Sequence, residues 1–346
     1  MARKPASNPD PDTEFDDVLD AALEGESAGA ESAGSAPGPI TLQLTPDLCG
    51  QRLDKALATL LPQYSRSRIQ QWMDEGHVQV DGEPGRAKAT VLGDESVRIQ
   101  PQAAEHEQAY QPQALELAIV HEDASLIVLN KPAGLVVHPA AGNWSGTLLN
   151  GLLHHDPALA GVPRAGIVHR LDKDTTGLMV VAKTLQAQTD LVRQLQARSV
   201  GREYLALVWG TTRPTGIIDA PIGRHPRDRV KMAVVEEEQG KPALTRYERL
   251  ATGALNGTPV SLVRCQLETG RTHQIRVHMQ SVGYPLVGDG VYGKQHLARA
   301  FHRQALHACR LGLNHPRSGK PKMWTAKLPA DMAELLTSAG IAQPQP

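Results

Sequence analysis

The stretch AGIVHRLDKDTTGLMVVAK (165–183) sets a charged cluster, His169-Arg170-Leu171-Asp172-Lys173-Asp174, between Ile167-Val168 and the apolar run Leu178 to Val181. Apolar runs on both sides anchor the polar loop in a core, so its side chains are held on a rigid scaffold. A carboxylate beside arginines in such a loop stays ionised, because nearby positive charge lowers its pKa. An ionised, positioned carboxylate is what a carboxylate nucleophile requires. Asp172 is the leading candidate.

Two further runs surround this loop in sequence. GREYLALVWG (201–210) alternates like a strand, with Tyr204, Ala206 and Val208 on one face and Leu205, Leu207 and Trp209 on the other. Tyr204 thereby sets a phenol among small apolar neighbours. THQIRVHMQSVG (272–283) predicts a helix ending at Gly283, with Thr272 as its cap and Ile275, Met279 and Val282 as its buried stripe. Arg271 and Arg276 flank that stripe, and a guanidinium held this way pairs with a carboxylate or grips a phosphate. SLIVLN, GLVVHP and SLVRCQLE read as strands, and TLLNGLLHHD and LQAQTDLVRQLQAR as helices. Without a regular βαβ repeat, the expectation is an α+β domain on a mixed sheet, spanning 115–336 with a flexible tail at 337–346.

The N-terminal part reads differently. Residues 1–39 are rich in Ala, Gly, Ser, Pro and acids and are expected to be disordered, with a short helix near DDVLDAALE. From 40 to 100 the order is strand, helix, helix, short strands. Ser65 precedes the second helix as its cap, Ile69, Trp72 and Met73 form its stripe, and VQVDGEP contains an Asp-Gly turn. Leu53, Leu57 and Leu60-Leu61 recur at helical spacing in the first helix, while Arg52, Lys55, Arg66, Arg68, Arg86 and Lys88 are left for the surface. PQAAEHEQAYQPQA (101–114) is the expected linker.

Net charge is −1, but it divides unevenly. Residues 1–40 hold nine acids against Arg3 and Lys4, and the remainder is net +6, so an acidic tail masks a mildly basic body. Three dispersed cysteines (Cys49, Cys265, Cys309) form neither a disulfide framework nor a CxxC pair, and there is no HExxH, so no metal is expected. No apolar run reaches the roughly 18 residues of a membrane span, and MARKPASNPDPD lacks a secretory signal. A cytoplasmic protein is the expectation.

RLDKALA, SRSRIQ and V-x-V-D-G together resemble the S4 RNA-binding domain, which implies that Arg66 and Arg68 lie against structured RNA, with Arg52 and Lys55 on the same basic surface. Behind it, NKPAGLVVHPAAGN, HRLDKDTTGL, R-E-Y-x-A-x-V and GRTHQIRVHM, in this order, resemble the RluA family of pseudouridine synthases across roughly 41–336. That resemblance implies a catalytic domain on a mixed, mainly antiparallel sheet and a reaction that breaks the N1–C1′ bond of uridine and rejoins the uracil through C5. It implies Asp172 as nucleophile, attacking the sugar or the base or else assisting elimination at the ribose, with Arg276 as its ion-pair partner and Tyr204 stacked on the target base as a late proton acceptor. Arg170 is then the side chain that fills the place of a flipped-out uridine; His169 and Lys173 are phosphate or loop-shaping partners, and Arg271 is a further RNA-binding candidate. It implies no cofactor, a 23S ribosomal RNA or pre-50S substrate at the subunit-interface stem-loop, no protein partner and a monomer.

Two rivals share these residues. Asp172 to Thr176 has the form D-x-D-x-T, which resembles the nucleophile loop of haloacid-dehalogenase-type phosphatases, although His169-Arg170 interrupt the preceding strand and no Asp-Asp pair follows. The other is a non-catalytic assembly factor that binds RNA through its S4 domain.

Overall fold

The computed structural model describes residues 38–102, 109–140, 143–228, 231–293 and 297–344. The acidic segment up to residue 37, with the helix expected near DDVLDAALE, lies outside them, as do 103–108 of the expected linker. The chain divides into two compact units, a smaller one ending at Gln108 and a larger one built from the residues that follow.

The smaller unit runs β1 (Ile40–Gln43), α1 (Leu53–Leu60), α2 (Arg66–Asp74), β2 (Val78–Val80), β3 (Glu83–Pro84) and β4 (Ser96–Ile99). The strands form an antiparallel sheet in the order β1-β4-β2-β3. Ser65 caps α2 by accepting the Arg68 N–H at 3.3 Å. Asp81 and Gly82 both take positive φ (50° and 88°), as a two-residue hairpin turn requires. Leu57, Ile69, Trp72 and Val78 close the core. Leu60 does not join it: the chain leaves helical geometry at Leu61 (φ −124°, ψ 67°), which turns Leu61 inward and leaves Leu60 exposed.

The larger unit contains β5 (Ile119–Glu122), β6 (Leu126–Lys131), α3 (Leu148–His155), β7 (Thr176–Ala182), α4 (Leu185–Gln196), β8 (Gly201–Trp209) and β9 (Thr215–Asp219). It continues with β10 (Ile222–Arg224), β11 (Met232–Val234), β12 (Leu244–Leu255), β13 (Thr258–Leu267), α5 (Gln274–Ser281), β14 (Leu306–Asn314), β15 (Pro321–Thr325) and α6 (Ala330–Ser338). One sheet runs β5-β6-β7-β14-β8-β13-β12-β9, with β15 also on β14. Among the described strands of this sheet only β7 and β14 pair in parallel, so the fold is α+β on a mixed, mainly antiparallel sheet. Gly177 makes the parallel contact feasible: its φ is +120°, and a Cβ there would collide with the Ala308 backbone. Strand β8 alternates as its sequence predicts, with Tyr204, Ala206 and Val208 in one apolar cluster and Leu205, Leu207 and Trp209 in another. No helix among the described residues is long and apolar enough to cross a membrane.

Four expectations need correction. GLVVHP (134–139) is a loop, because its carbonyls have other donors: Val136 and Val137 accept the Leu148 and Leu149 N–H groups at the start of α3. Thr272 does not cap α5; His273, in the left-handed region (φ 55°, ψ 21°), is the residue before the helix. Val282 is exposed, and Val277 is buried in its place. The C-terminus is anchored further than residue 336, since α6 extends to Ser338, Ala339 accepts the Ala254 N–H at 3.0 Å, and Ile341 is buried. Gly253 leaves room for that contact, as a Cβ there would strike the Ala339 carbonyl.

Candidate active site

The loop 168–175 is closed at its base by one strand: Ile167 bridges Val181, and Thr176 begins β7. The loop is tied down at several points. His169 Nε2 accepts the Val180 N–H at 3.0 Å, so this strand donor goes to a side chain instead of a neighbouring strand. Thr175 N–H donates to the Asp172 carbonyl at 3.0 Å. The buried Lys131 ammonium donates to the carbonyls of Pro132, Leu135 and Lys173 at 2.8, 2.9 and 2.7 Å, joining the loop after β6 to the residue beside Asp172. Arg303 Nη1 donates to the Asp174 carbonyl at 3.1 Å and pairs with Asp331. A carboxylate on such a loop has little freedom to misplace itself.

Asp172 is 15% exposed and meets Arg276 of α5, whose Nη1 donates to Oδ2 at 2.9 Å. Arg276 is held from behind by Asp289, with Nε and Nη2 at 2.7 and 3.0 Å from its two oxygens. Asp289 also accepts the N–H groups of Val291 and Tyr292 at 2.9 and 3.0 Å. His273 Nε2 stands 3.9 Å from Asp172 Oδ1, and its Nδ1 is 2.8 Å from the Tyr292 hydroxyl. Gln274 organises the turn before α5, accepting from the Arg271 N–H and the Thr269 hydroxyl and donating to the Leu244 carbonyl. This network is why Thr272 is not needed as a cap.

Burial alone would raise the Asp172 carboxyl, but His273, Arg276 and Arg170 outweigh it and hold the group down at about 2. Burial likewise disfavours the Arg276 charge, and the two carboxylates reverse that, pushing its pKa up. Burial raises the Tyr204 phenol, and Asp172 adds to the rise. Burial drives His169 down to about 3, so its ring is neutral, and Lys131 down to about 7.

A cavity of about 310 Å³ collects these groups. Asp172, Tyr204, Arg276, Arg170, His169 and Arg271 all line it, from the loop before β7, from β8 and from the α5 approach. Lys173 is exposed beside it and does not line it. His169 is buried and bonded to the strand, which fits the loop-shaping alternative over the phosphate contact. In the smaller unit, Arg52 and Arg66 both clamp the buried Asp54 carboxylate at 2.8 and 2.9 Å. Arg68 lies over Trp72 and donates to the Gln102 carbonyl, and Lys55 is exposed. Asp289, Tyr292, His273 and Lys131 were not singled out from the sequence. A signal existed for Asp289 only, as a lone acid in VGDGVYG bracketed by glycines.

Residues 125–281 match the family model described as RNA pseudouridylate synthase, and residues 51–96 match that of the S4 domain. Ribosomal large subunit pseudouridine synthase D of Nitrosomonas europaea is 54% identical over 316 residues, covering 89% of this chain and 90% of that protein. The protein of the same name from Neisseria meningitidis serogroup A is 48% identical, covering 94% and 87%. Among solved structures, human RNA pseudouridylate synthase domain containing 1 superposes with a TM-score of 0.54 at 29% identity, covering 64% of this chain and 87% of that one. Neither the phosphatase reading nor the non-catalytic reading is compatible with relatives this similar over this much of the chain. The chain belongs to the RNA pseudouridylate synthases and is an RNA pseudouridine synthase with an S4 domain ahead of its catalytic domain.

Proposed function

We propose that this enzyme converts uridines of large-subunit (23S) ribosomal RNA to pseudouridine, with Asp172 as nucleophile and the target nucleotide flipped out of its stack into the cavity beside Tyr204. The observation that carries this reading is the Asp172–Arg276 pair at 2.9 Å, a largely buried but ionised carboxylate opening on a cavity of about 310 Å³. The names of the relatives supply the substrate class. Unstacking a base costs a few kcal/mol, and a site that reads the extruded base recovers it.

The reaction exchanges one glycosidic bond for another. The N1–C1′ bond breaks, uracil leaves as an anion and rotates, C5 bonds to C1′, and the C5 proton is lost as N1 gains one. Attack of Asp172 on the sugar, attack on the base and elimination at the ribose all require an ionised carboxylate at this place, which Arg276 maintains. Tyr204 stacks on the uracil and accepts the proton late. Arg170 enters the helix where the uridine had been. Lys173 beside the cavity, Arg271 lining it, and Arg52, Lys55, Arg66 and Arg68 of the S4 unit contact phosphate. In this reading residues 1–39 are an acidic tail and 101–114 join the two RNA-binding bodies, with Ala109, Gln111 and Gln113 held on the larger one by Asn150. The enzyme acts as a cytoplasmic monomer on 23S RNA or a pre-50S particle, at the stem-loop of the subunit interface.

Pseudouridine mapping of ribosomal RNA from cells with and without the gene tests this. The expected result is a small set of 23S positions, in that stem-loop, that disappear in the deletion and return when the purified enzyme is added. An unchanged map would overturn the substrate assignment.

A further inference from the structure

Most charges lining the cavity are matched. Arg276 has Asp172 and Asp289, and Glu268 is taken by Arg246 at 2.8 Å and approached by Arg198 at 3.7 Å. Arg202 is different. It stands two residues before Tyr204 on β8, on the same side of the strand, and lines the same cavity. It is only 8% exposed. Among the described residues the one hydrogen bond of its guanidinium is a long one, from Nη2 to the Glu268 carbonyl at 3.4 Å, and its buried Nε has no acceptor. Among the described residues no carboxylate lies within ion-pair distance of it, and its charged neighbour, Arg271, is of like sign.

The fold makes space for this cation. A Cβ on Gly270 would stand 2.6 Å from Arg202 Nη1, so the guanidinium occupies room that a side chain at 270 would take. A buried charge without a partner is costly, and in a folded protein such a group is normally paired. A guanidinium offers a planar fork of donors suited to the paired oxygens of a phosphate. The anion that completes the site is therefore sought in the ligand. RNA brings one with every nucleotide.

We propose that Arg202, seated over Gly270, is the receptor for a backbone phosphate flanking the nucleotide held between Asp172 and Tyr204. This rests on the cavity being the site of the target nucleotide. The phosphate then fixes the sugar relative to Asp172, and Arg202 acts by binding substrate, with no part in proton transfer. The neighbouring His169 is kept neutral by burial and by this same cation, so it does not compete for the anion.

The test uses a short RNA hairpin cut around a uridine that the wild-type enzyme converts, made with either flanking phosphate replaced by a neutral methylphosphonate. Single-turnover rates against enzyme concentration are compared for wild type, Arg202→Gln, Arg202→Lys and Gly270→Ala, each checked by thermal melting. For wild type, one of the two methylphosphonates is expected to raise the half-saturating concentration about 10-fold, the size of a lost charge-assisted contact. For Arg202→Gln the same replacement is expected to cost less than about 2-fold, since the contact is already gone. Arg202→Lys should fall between, and Gly270→Ala, which displaces the guanidinium, should behave like Arg202→Gln. If Arg202→Gln does not fold, the lysine and Gly270 variants decide the matter. Wild type indifferent to both methylphosphonates, or folded variants paying the full wild-type penalty, would overturn the proposal and leave the assigned reaction standing. Failure of the wild type to form pseudouridine in any ribosomal RNA would overturn both.

Discussion

Arg276 is fixed by Asp289 independently of Asp172: Nε and Nη2 engage one carboxylate, and Nη1 of the same planar group reaches the other. Asp289 is itself buried and held by two backbone N–H groups, so the guanidinium is oriented before substrate arrives. Asp289→Asn keeps the shape and loses the charge. The expectation is a kcat reduced about 10- to 100-fold with KM for RNA nearly unchanged, as for other partners that orient a site residue from behind. Steady-state kinetics with a melting curve would check it, and an unaltered kcat would remove Asp289 from the account.

Asp172 has its carboxyl held at about 2, and Arg276 is a large part of the reason. In Arg276→Gln the burial that raises the pKa is less opposed, so the acid limb of kcat/KM should move to higher pH. Wild type should show no acid limb from this group above about pH 4, whereas the variant should lose at least about 100-fold at neutral pH, the scale of one removed electrostatic contact. Its remaining activity should fall as the pH drops below the raised value. A variant with the wild-type profile would mean that another group keeps Asp172 ionised.

The same depression has a stability consequence with a definite sign. The Asp172 contribution is fully present above its unfolded pKa near 4 and is lost as pH falls toward about 2. His169 and His307, buried and held down at about 3 and about 4, act at higher pH. Between about 6.5 and those values the unfolded chain binds protons that the native one excludes, so stability falls as pH falls. Urea unfolding at pH 7 and pH 5 should register a loss of up to about 1.4 kcal/mol per pH unit for each histidine. His169→Asn should flatten the slope; equal slopes would contradict the buried neutral ring.

In the smaller unit, Asp54 at the start of α1 gathers Arg52, Arg66 and Gln70. The arginines are nearly half-exposed, so water weakens the pairs, and Asp54→Ala should cost about 1–3 kcal/mol, less than a dry ion pair would. The released arginines lose their common orientation. RNA affinity should therefore fall while the rate at saturating RNA stays close to wild type, as binding isotherms and single-turnover assays would measure. Loss of rate at saturation instead would assign this unit a direct role in the chemistry.

Local pattern is enough to read β7 as an apolar run buried on both faces, β8 by its alternation, α4 by its helical stripe and the start of α2 by its Ser65 cap. HRLDKDTTGL was legible for the same reason, as polar residues trapped between two core segments. The errors lie where long-range partners override the local pattern. GLVVHP has the composition of a strand, but its carbonyls are claimed by the start of α3. Thr272 has the chemistry of a cap, but Gln274 satisfies the turn and His273 takes a left-handed conformation that non-glycine residues adopt only uncommonly. The Asp289 brace was illegible for a different reason: it lies 13 positions beyond Arg276, and nothing in either segment states that they meet. Lys131 reads as a surface residue until the fold buries it under three carbonyls.

The central claim is that Asp172 performs the chemistry and that affinity for RNA resides elsewhere. Asp172→Asn, assayed by tritium release from 5-[³H]uridine-labelled ribosomal RNA lacking pseudouridine, tests both halves. The account predicts turnover reduced by at least about 1,000-fold, as expected when a group acting in the transition state is removed. RNA binding and its salt dependence should be retained, since phosphate contacts dominate affinity. An Asp172→Asn enzyme that releases tritium at the wild-type rate would contradict it.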